Sequence, residues 1–434
     1  MLEKLFKLKA NNTTIRTEII AGFTTFLAMA YILFINPNIL SDVNGAAMDH
    51  SAVFVATCLA AVIGSLTMGL IANYPLALAP GMGLNVFFSY TVVHTMGYSW
   101  QVALGAVFIS ATLFFILSLF KIREWIINSI PLALRSAIAA GIGLFLAIIG
   151  LQKAGIIMGN PATLVTIGDL TQPEPLLAIL GFFILIALEA RKVPGSVIIS
   201  ILMITVISIV LGITPFKGIV SAPPSIAPTF LQLDIAGAFQ VGMIAVIFSF
   251  LFVDLFDNSG TLIGVAKKAG LMRADGYLPR MGRVLIADST AAMSGSLLGT
   301  STTTSFVEST AGVAAGGRTG LTACVAALFF LLALFVSPLA ESVPLFATAP
   351  ALLFVAILMA SGLAEIDWHD LTTSAPVLIT AIAMPFTYSI ANGIAFGFIS
   401  WTAIKLLTGR TKEVNSALII LSILFILKFA FLHE

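Results

Sequence analysis

Charge is scarce in this sequence. Only 9% of its 434 residues are Asp, Glu, Lys or Arg, and the two signs nearly cancel to a net charge of +1. A soluble domain carries about a quarter of its residues as charges, and a disordered chain is poorer still in apolar residues, so both classes are excluded. The net charge carries no sign of a nucleic-acid partner. Cysteine is nearly absent. Cys58 and Cys324 both sit inside apolar runs, where a packed thiol is the ordinary role, and neither a disulfide framework nor a redox compartment follows. The four histidines, His50, His94, His369 and His433, lie far apart without metal-ligand spacing. With no metal set, no cofactor motif and no nucleophile paired with a base, nothing in the chain points to an enzyme.

What is present is apolar. Hydrophobic residues make up 59% of the chain and the mean hydropathy is +1.08, which describes an all-α polytopic membrane protein embedded in lipid. Residues 1–18 are polar and basic without a cleavage-like site, and read as a cytoplasmic segment before a retained first span. The apolar runs predict spans near 19–40, 52–73, 76–95, 101–120, 133–151, 175–190 and 195–213. A Pro-rich connection follows over 214–239, with the sequence SAPPSIAP. A second series is predicted near 240–264, 285–299, 302–316, 319–338, 345–362, 373–389 and 391–408. The two repeats are thus 19–213 and 240–408, about fourteen spans in all, followed by a C-terminal segment, 409–434, that holds one more apolar run at 415–432.

Lys and Arg test this threading, because cytoplasmic loops are enriched in them. With the amino terminus inside, the inward loops hold Lys4, Lys7, Lys9, Arg16, Arg135, Arg191, Lys192, Arg280, Arg283, Arg318 and Arg410 among others, and the outward loops keep Lys153 and Lys217. An odd number of spans per half makes the second half enter with opposite orientation, the inverted-repeat plan of many secondary transporters. Ile130 onwards, IPLALRSAIAAGIGLFLAIIGL, resembles VPLFATAPALLFVAILMASGL from Val343.

Candidate site residues lie where this apolar chain is interrupted. Gly299–Gly317, GTSTTTSFVESTAGVAAGG, carries hydroxyls, small residues and one carboxylate, Glu308. An ionised side chain at membrane depth costs at least about 2.5 kcal/mol, so Glu308 is expected to face a pathway or a partner. On a helix, Thr304, Glu308 and Gly312 would share a face; the glycines and hydroxyls predict a broken helix instead. Asp254, Asp257 and Thr261 fall on one face of the eighth span. Two buried carboxylates at that spacing repel when both are ionised, which makes one of them a carrier for a proton. In the third span Pro80, Gly81 and Gly83 break the helix beside Leu84 and Asn85, at the place that matches the Glu308 stretch in the other half. Paired interrupted segments are the sequence pointer to a transporter's binding site. Thr24 and Thr25 in the first span either face that site or bond back to their own helix, and Asn36-Pro37 reads as a helix end.

Together FVDLFDNSGTLIGVAKKAGL, ADSTAAMSGSLLGTSTTTSFVESTAGVAAGGRTGLTA, APGMGLN and TTIRTEIIAGFTTFLAMAYI resemble the AzgA-like branch of the nucleobase-cation symporter 2 family over nearly the whole chain. That resemblance implies two inverted seven-helix repeats, strand-like breaks in the third and tenth spans, and a core (spans one to four and eight to eleven) moving against a gate (five to seven and twelve to fourteen). It implies secondary active import of adenine, hypoxanthine or guanine across the cell inner membrane by proton symport and alternating access. Asp257 matches the acidic residue placed on the base and its proton, and Glu308 the one that bonds the ring. Ala28 and Gly83–Asn85 match pocket-lining segments, and Thr25, Thr261 and Thr304 join them as candidates, with Asp254 as a further proton-coupling residue. Thr261 departs from the histidine or other polar group of uracil and xanthine relatives. Phe87, Phe88 and Phe306 are candidates to stack on the base. Homodimers occur in the wider family, by analogy only. The rival reading is an anion transporter or channel of the same fold, which would favour a basic centre where this chain is acidic.

Overall fold

The computed structural model describes residues 2–120, 130–271 and 278–431; the side chains of Val241, Phe256, Asp257, Ser259, Gly260, Ile263, Lys267 and Phe431 lie outside the described part. The first half comprises α1 (Ile15–Met29), α2 (Ile32–Leu40), α3 (His50–Thr67), β1 (Leu78–Pro80), α4 (Met82–Val86), α5 (Trp100–Leu119), α6 (Leu132–Lys153), α7 (Pro173–Ala190) and α8 (Ser196–Val210). A hairpin of β2 (Ile157–Asn160) and β3 (Leu164–Ile167), which the sequence reading did not anticipate, joins α6 to α7. The second half comprises α9 (Val241–Lys268), α10 (Met281–Leu298), β4 (Thr303–Ser305), α11 (Ser309–Ala314), α12 (Gly320–Ala333), α13 (Ser337–Glu341), α14 (Leu345–Ala360), α15 (Leu371–Phe386) and α16 (Ile390–Leu407).

Eight helices are long and apolar enough to cross a bilayer among the described residues. The shorter apolar α8, α15 and the first part of α9, together with α10 and the two interrupted segments around β1 and β4, complete the expected fourteen. Large apolar side chains such as Phe183, Val206 and Leu332 are exposed on the outside of the bundle, as lipid contact requires.

Helices sort into two groups by packing. One group gathers α1, α3, α5, α10 and α12, with α2, α9 and α11 against them; the other gathers α6, α7, α8, α14, α15 and α16. These are the core and gate expected of the fold. They meet along a seam where α6 touches α4 and α9, and α14 touches α2.

One local expectation changes, one holds, and one open point is decided. The first span does not end at Asn36-Pro37. It breaks earlier, where the Leu33 N–H bonds Ala30 O and the Phe34 N–H bonds Tyr31 O, and α2 then runs through Pro37 to Leu40. The carbonyl that Pro37 leaves without its helical N–H sits only one turn into this short helix. The break expected around Glu308 is present: Thr304 lies on β4 and helix resumes only at Ser309, so Thr304, Glu308 and Gly312 do not share a helical face. The last apolar run forms α17 (Ser416–Phe431), which packs antiparallel on α16. The Ser422 hydroxyl bonds Phe398 O at 2.9 Å and Lys428 Nζ donates to Asn392 Oδ1 at 3.1 Å, while the Phe425 and Phe429 rings meet Phe398 and Phe396. At about 1.5 Å per residue this helix covers most of a hydrocarbon core.

Candidate functional site

The centre of the core is a cross of two short strands. β1 and β4 come from opposite halves of the chain and pair antiparallel, Leu78 with Ser305, Ala79 with Thr304 and Pro80 with Thr303. The ribbon is extended at each end: the Gly81 N–H bonds Thr302 O at 2.9 Å, and the Phe306 N–H bonds Ala77 O at 3.1 Å. Non-helical backbone survives at membrane depth only if its polar groups are matched, and here each broken span supplies the other's partners. Helix resumes on either side, at Met82 and at Ser309, so two half-helices start from the cross. The Ser309 hydroxyl accepts from the Ala77 N–H at 3.0 Å and ties the second start to the first strand.

Glu308 sits at the first turn of α11, half-buried. Its Oε1 accepts a hydrogen bond from the Tyr31 hydroxyl, a residue 277 positions away at the break between α1 and α2. The Tyr31 ring is buried, so it fixes the carboxylate and leaves Oε2 as the oxygen not committed to that phenol. Close packing sets this geometry. A Cβ on Gly312 would lie 1.9 Å from Thr25 Oγ1 and 2.6 Å from Ala21 O, so only glycine lets α11 approach α1 this closely.

α9 runs beside β4 and α11. Asp257 and Thr261 lie on it, with Thr261 half-buried; the Asp257 side chain is outside the described residues. Asp254 is buried, with interactions of its own. Next to Asp257, Asn258 is fully buried and neither amide atom has a hydrogen-bond partner among the described residues. The buried hydroxyls of Thr304 and Ser305 on the neighbouring strand also have none. Buried polar groups without protein partners mark a place where something else completes them. Neither Tyr31 nor Asn258 was singled out in the sequence; for Asn258 the signal was adjacency to Asp257, and for Tyr31 there was none.

Other candidates have different surroundings. Asn85 is buried in a knot: its Nδ2 donates to Asn36 Oδ1, its Oδ1 accepts from the Ser301 hydroxyl, and Asn36 Nδ2 reaches Thr57 Oγ1 at 2.7 Å and Thr300 Oγ1 at 2.9 Å. Four spans are tied by side-chain amides and hydroxyls. Thr25 and Thr24 bond back to Ala21 O at 3.0 Å and Ile20 O at 2.8 Å. Ala28 is partly exposed one turn before Tyr31, and Leu84 is fully buried. Gly83 lies on the seam with the gate, where an added Cβ would be 2.8 Å from Ile142 Cγ2 and 3.8 Å from Ile390 Cδ1. Phe87 and Phe88 pack against Phe250 of α9, with centroids 5.1 and 6.5 Å apart, and Phe306 is buried at the end of β4.

Residues 16–396 match the Xan_ur_permease family, described as a permease family. The chain belongs to this family. The permease is 52% identical to the adenine permease AdeP of Escherichia coli, over 100% of this chain and 96% of that one. It is 47% identical to the guanine/hypoxanthine permease PbuG of Bacillus subtilis, over 99% and 100%. Among solved structures, the permease resembles the transmembrane domain of the cyanobacterial bicarbonate transporter BicA with a TM-score of 0.68 at 18% identity, covering 87% of this chain and 96% of that one. Murine Slc26a9, an anion transporter in the inward-facing state, gives 0.66 at 12%, covering 92% and 69%. Likeness at that identity establishes the fold alone: one core-and-gate architecture carries both anion transporters and this permease.

Proposed function

We propose that the permease imports a purine nucleobase across the cell inner membrane together with a proton, with its amino terminus in the cytoplasm. The observation that carries this reading is the Glu308 carboxylate, held by Tyr31 at the strand cross beside α9, in a chain about half identical to adenine and guanine/hypoxanthine permeases. A purine is flat, neutral and rimmed with N–H donors and ring acceptors. Glu308 Oε2 accepts an N–H from the base, and Asp257 takes a second N–H or the co-transported proton. Asn258, Thr304 and Ser305 supply donors and acceptors to the rest of the rim. Thr261, Gly83 and Ala28 shape the walls, and Asn85 keeps the broken spans in register from below. Asp254 holds α9 in place and tunes the proton step. The wall formed by α6 and α16 belongs to the gate, so movement of the core along the seam exposes the base first to one face and then to the other. A proton carried inward draws on about 2.3 kcal/mol per 100 mV of membrane potential.

The orientation rests on Lys and Arg. Arg16, Arg135, Arg191, Lys192, Arg280, Arg283, Arg318 and Arg410 all lie at the face that carries the amino terminus.

Uptake of labelled adenine, hypoxanthine, guanine and uracil into cells stripped of their own nucleobase permeases, with and without a protonophore, tests the proposal. Accumulation of one or more purines that collapses with the proton gradient is expected. Membrane-inserted protein that accumulates none of them refutes the substrate, and accumulation that persists without the gradient refutes the proton.

A further inference from the structure

At the face opposite the amino terminus the seam between core and gate is bridged by charge. Asp42 follows α2 in the core, and Lys153 ends α6 in the gate. Lys153 Nζ donates to Asp42 Oδ2, and the Asp42 side chain is 4% exposed against 21% for Lys153. The same Oδ2 accepts the Tyr90 hydroxyl at 2.7 Å, and Lys153 Nζ lies 4.7 Å from the centroid of the Tyr90 ring. Neutral bonds cross the seam nearby: Thr91 Oγ1 donates to Tyr388 O at 3.2 Å, and Asn38 Nδ2 to Val343 O at 3.1 Å.

We propose that the Lys153–Asp42 ion pair, backed by Tyr90, is a releasable latch that holds this face of the transporter shut. Three features separate it from a permanent staple. It joins the two groups of helices that must part for access from this face, whereas the Lys405 cluster, with Asp370 and Glu413, lies wholly within gate elements and their connections. Its acceptor is prepared for the partner's departure: when Lys153 leaves, Asp42 keeps the Tyr90 hydroxyl and the Asn44 N–H, which reaches Oδ1 at 3.0 Å. A carboxylate that retains two donors is not stranded by separation. Finally, a cavity of about 280 Å³ lined in part by Tyr90, Lys153 and Tyr388 adjoins the pair, so water can solvate both charges as they part. The latch biases the equilibrium between the two access states without touching the substrate. In the orientation proposed above it closes the extracytoplasmic side.

Spin labels on Val43 of the core and Ile167 of the gate hairpin, both exposed at this face, read the separation directly in protein whose two cysteines are replaced by alanine. The parent should show mainly one short distance. Asp42→Asn and Lys153→Gln should each raise the ratio of a longer population to the short one by about tenfold or more, and Tyr90→Phe by less. Lys153→Arg, which keeps the charge, should remain like the parent. The double variant Asp42→Asn/Lys153→Gln should open no further than the stronger single one, because both remove the same interaction. Unchanged distances in Asp42→Asn and Lys153→Gln overturn the latch, as does a double variant whose effect is the product of the two. Where one variant does not yield monodisperse protein, the other single substitution and Tyr90→Phe decide the outcome. The measurement needs no substrate, so its failure is separate from any failure of the purine reading.

Discussion

Replacing Tyr31 with phenylalanine removes one hydroxyl and nothing else from a buried ring, yet it should damage transport. That hydroxyl is the donor that holds Glu308 Oε1. A hydrogen bond to a charged group contributes about 1.5–3 kcal/mol, and each 1.4 kcal/mol is about tenfold, so Vmax/KM for uptake should fall by about 10- to 100-fold. Most of the loss should appear in KM, because the carboxylate swings away from the orientation that receives the base while the gate helices are untouched. The assay is initial-rate uptake normalised to membrane-inserted protein, run as a cycle with Glu308→Gln. If Tyr31 acts through Glu308, adding Tyr31→Phe to Glu308→Gln costs about threefold or less beyond the single change. Fully multiplicative losses would refute the reasoning and make Tyr31 a packing residue.

Asp257→Asn should abolish accumulation while the protein still reaches the membrane, Glu308→Gln should lower initial-rate uptake strongly but leave a measurable rate, and Asp254→Asn should be milder; equal loss at 254 and 257 would show that the two carboxylates act as one unit. Asn85→Ala opens the knot of Asn36 and Ser301 and should destabilise the purified protein by about 1–3 kcal/mol, read as a lower melting temperature. Thr304→Ala should lower uptake with little change in melting, since its hydroxyl has no partner among the described residues; the reverse pattern would exchange their roles. Gly312→Ala should reduce the yield of folded protein through overpacking of about 1–3 kcal/mol, partly rescued by Thr25→Ala, because Ala21 O still lies 2.6 Å from the new Cβ. A topology reporter fused after the last residue should lie on the face opposite the amino terminus, since α17 runs back along α16; a reporter on the same face would mean that α17 does not cross.

The spans were legible in the residues because hydropathy is local: a run of apolar side chains must leave water whatever its neighbours are. Breaks at Pro80, Gly81 and Gly299 were legible for the same reason, since glycine and proline act on their own backbone. Glu308 and the acidic face of α9 stood out because charge is scarce in this chain. The 157–167 hairpin was not legible, being short and exposed, with strand pairing but no strong alternation. Asn36 was misread as a helix end because the Asn-Pro pair is a local stop signal; the amide is instead engaged by Thr57 and Thr300 from other spans.

The sequence by itself determined that the chain is a membrane protein of two related halves with acidic residues at its centre. Only the tertiary structure decided that the two breaks pair as strands, that Tyr31 holds Glu308, that Asn85 ties four spans and that Lys153 meets Asp42. Each of those contacts joins residues 21 to 277 positions apart. A side chain's own sequence neighbourhood constrains its helix and its depth, but which partner lies across from it depends on how whole helices pack, and that is a property of the assembled bundle.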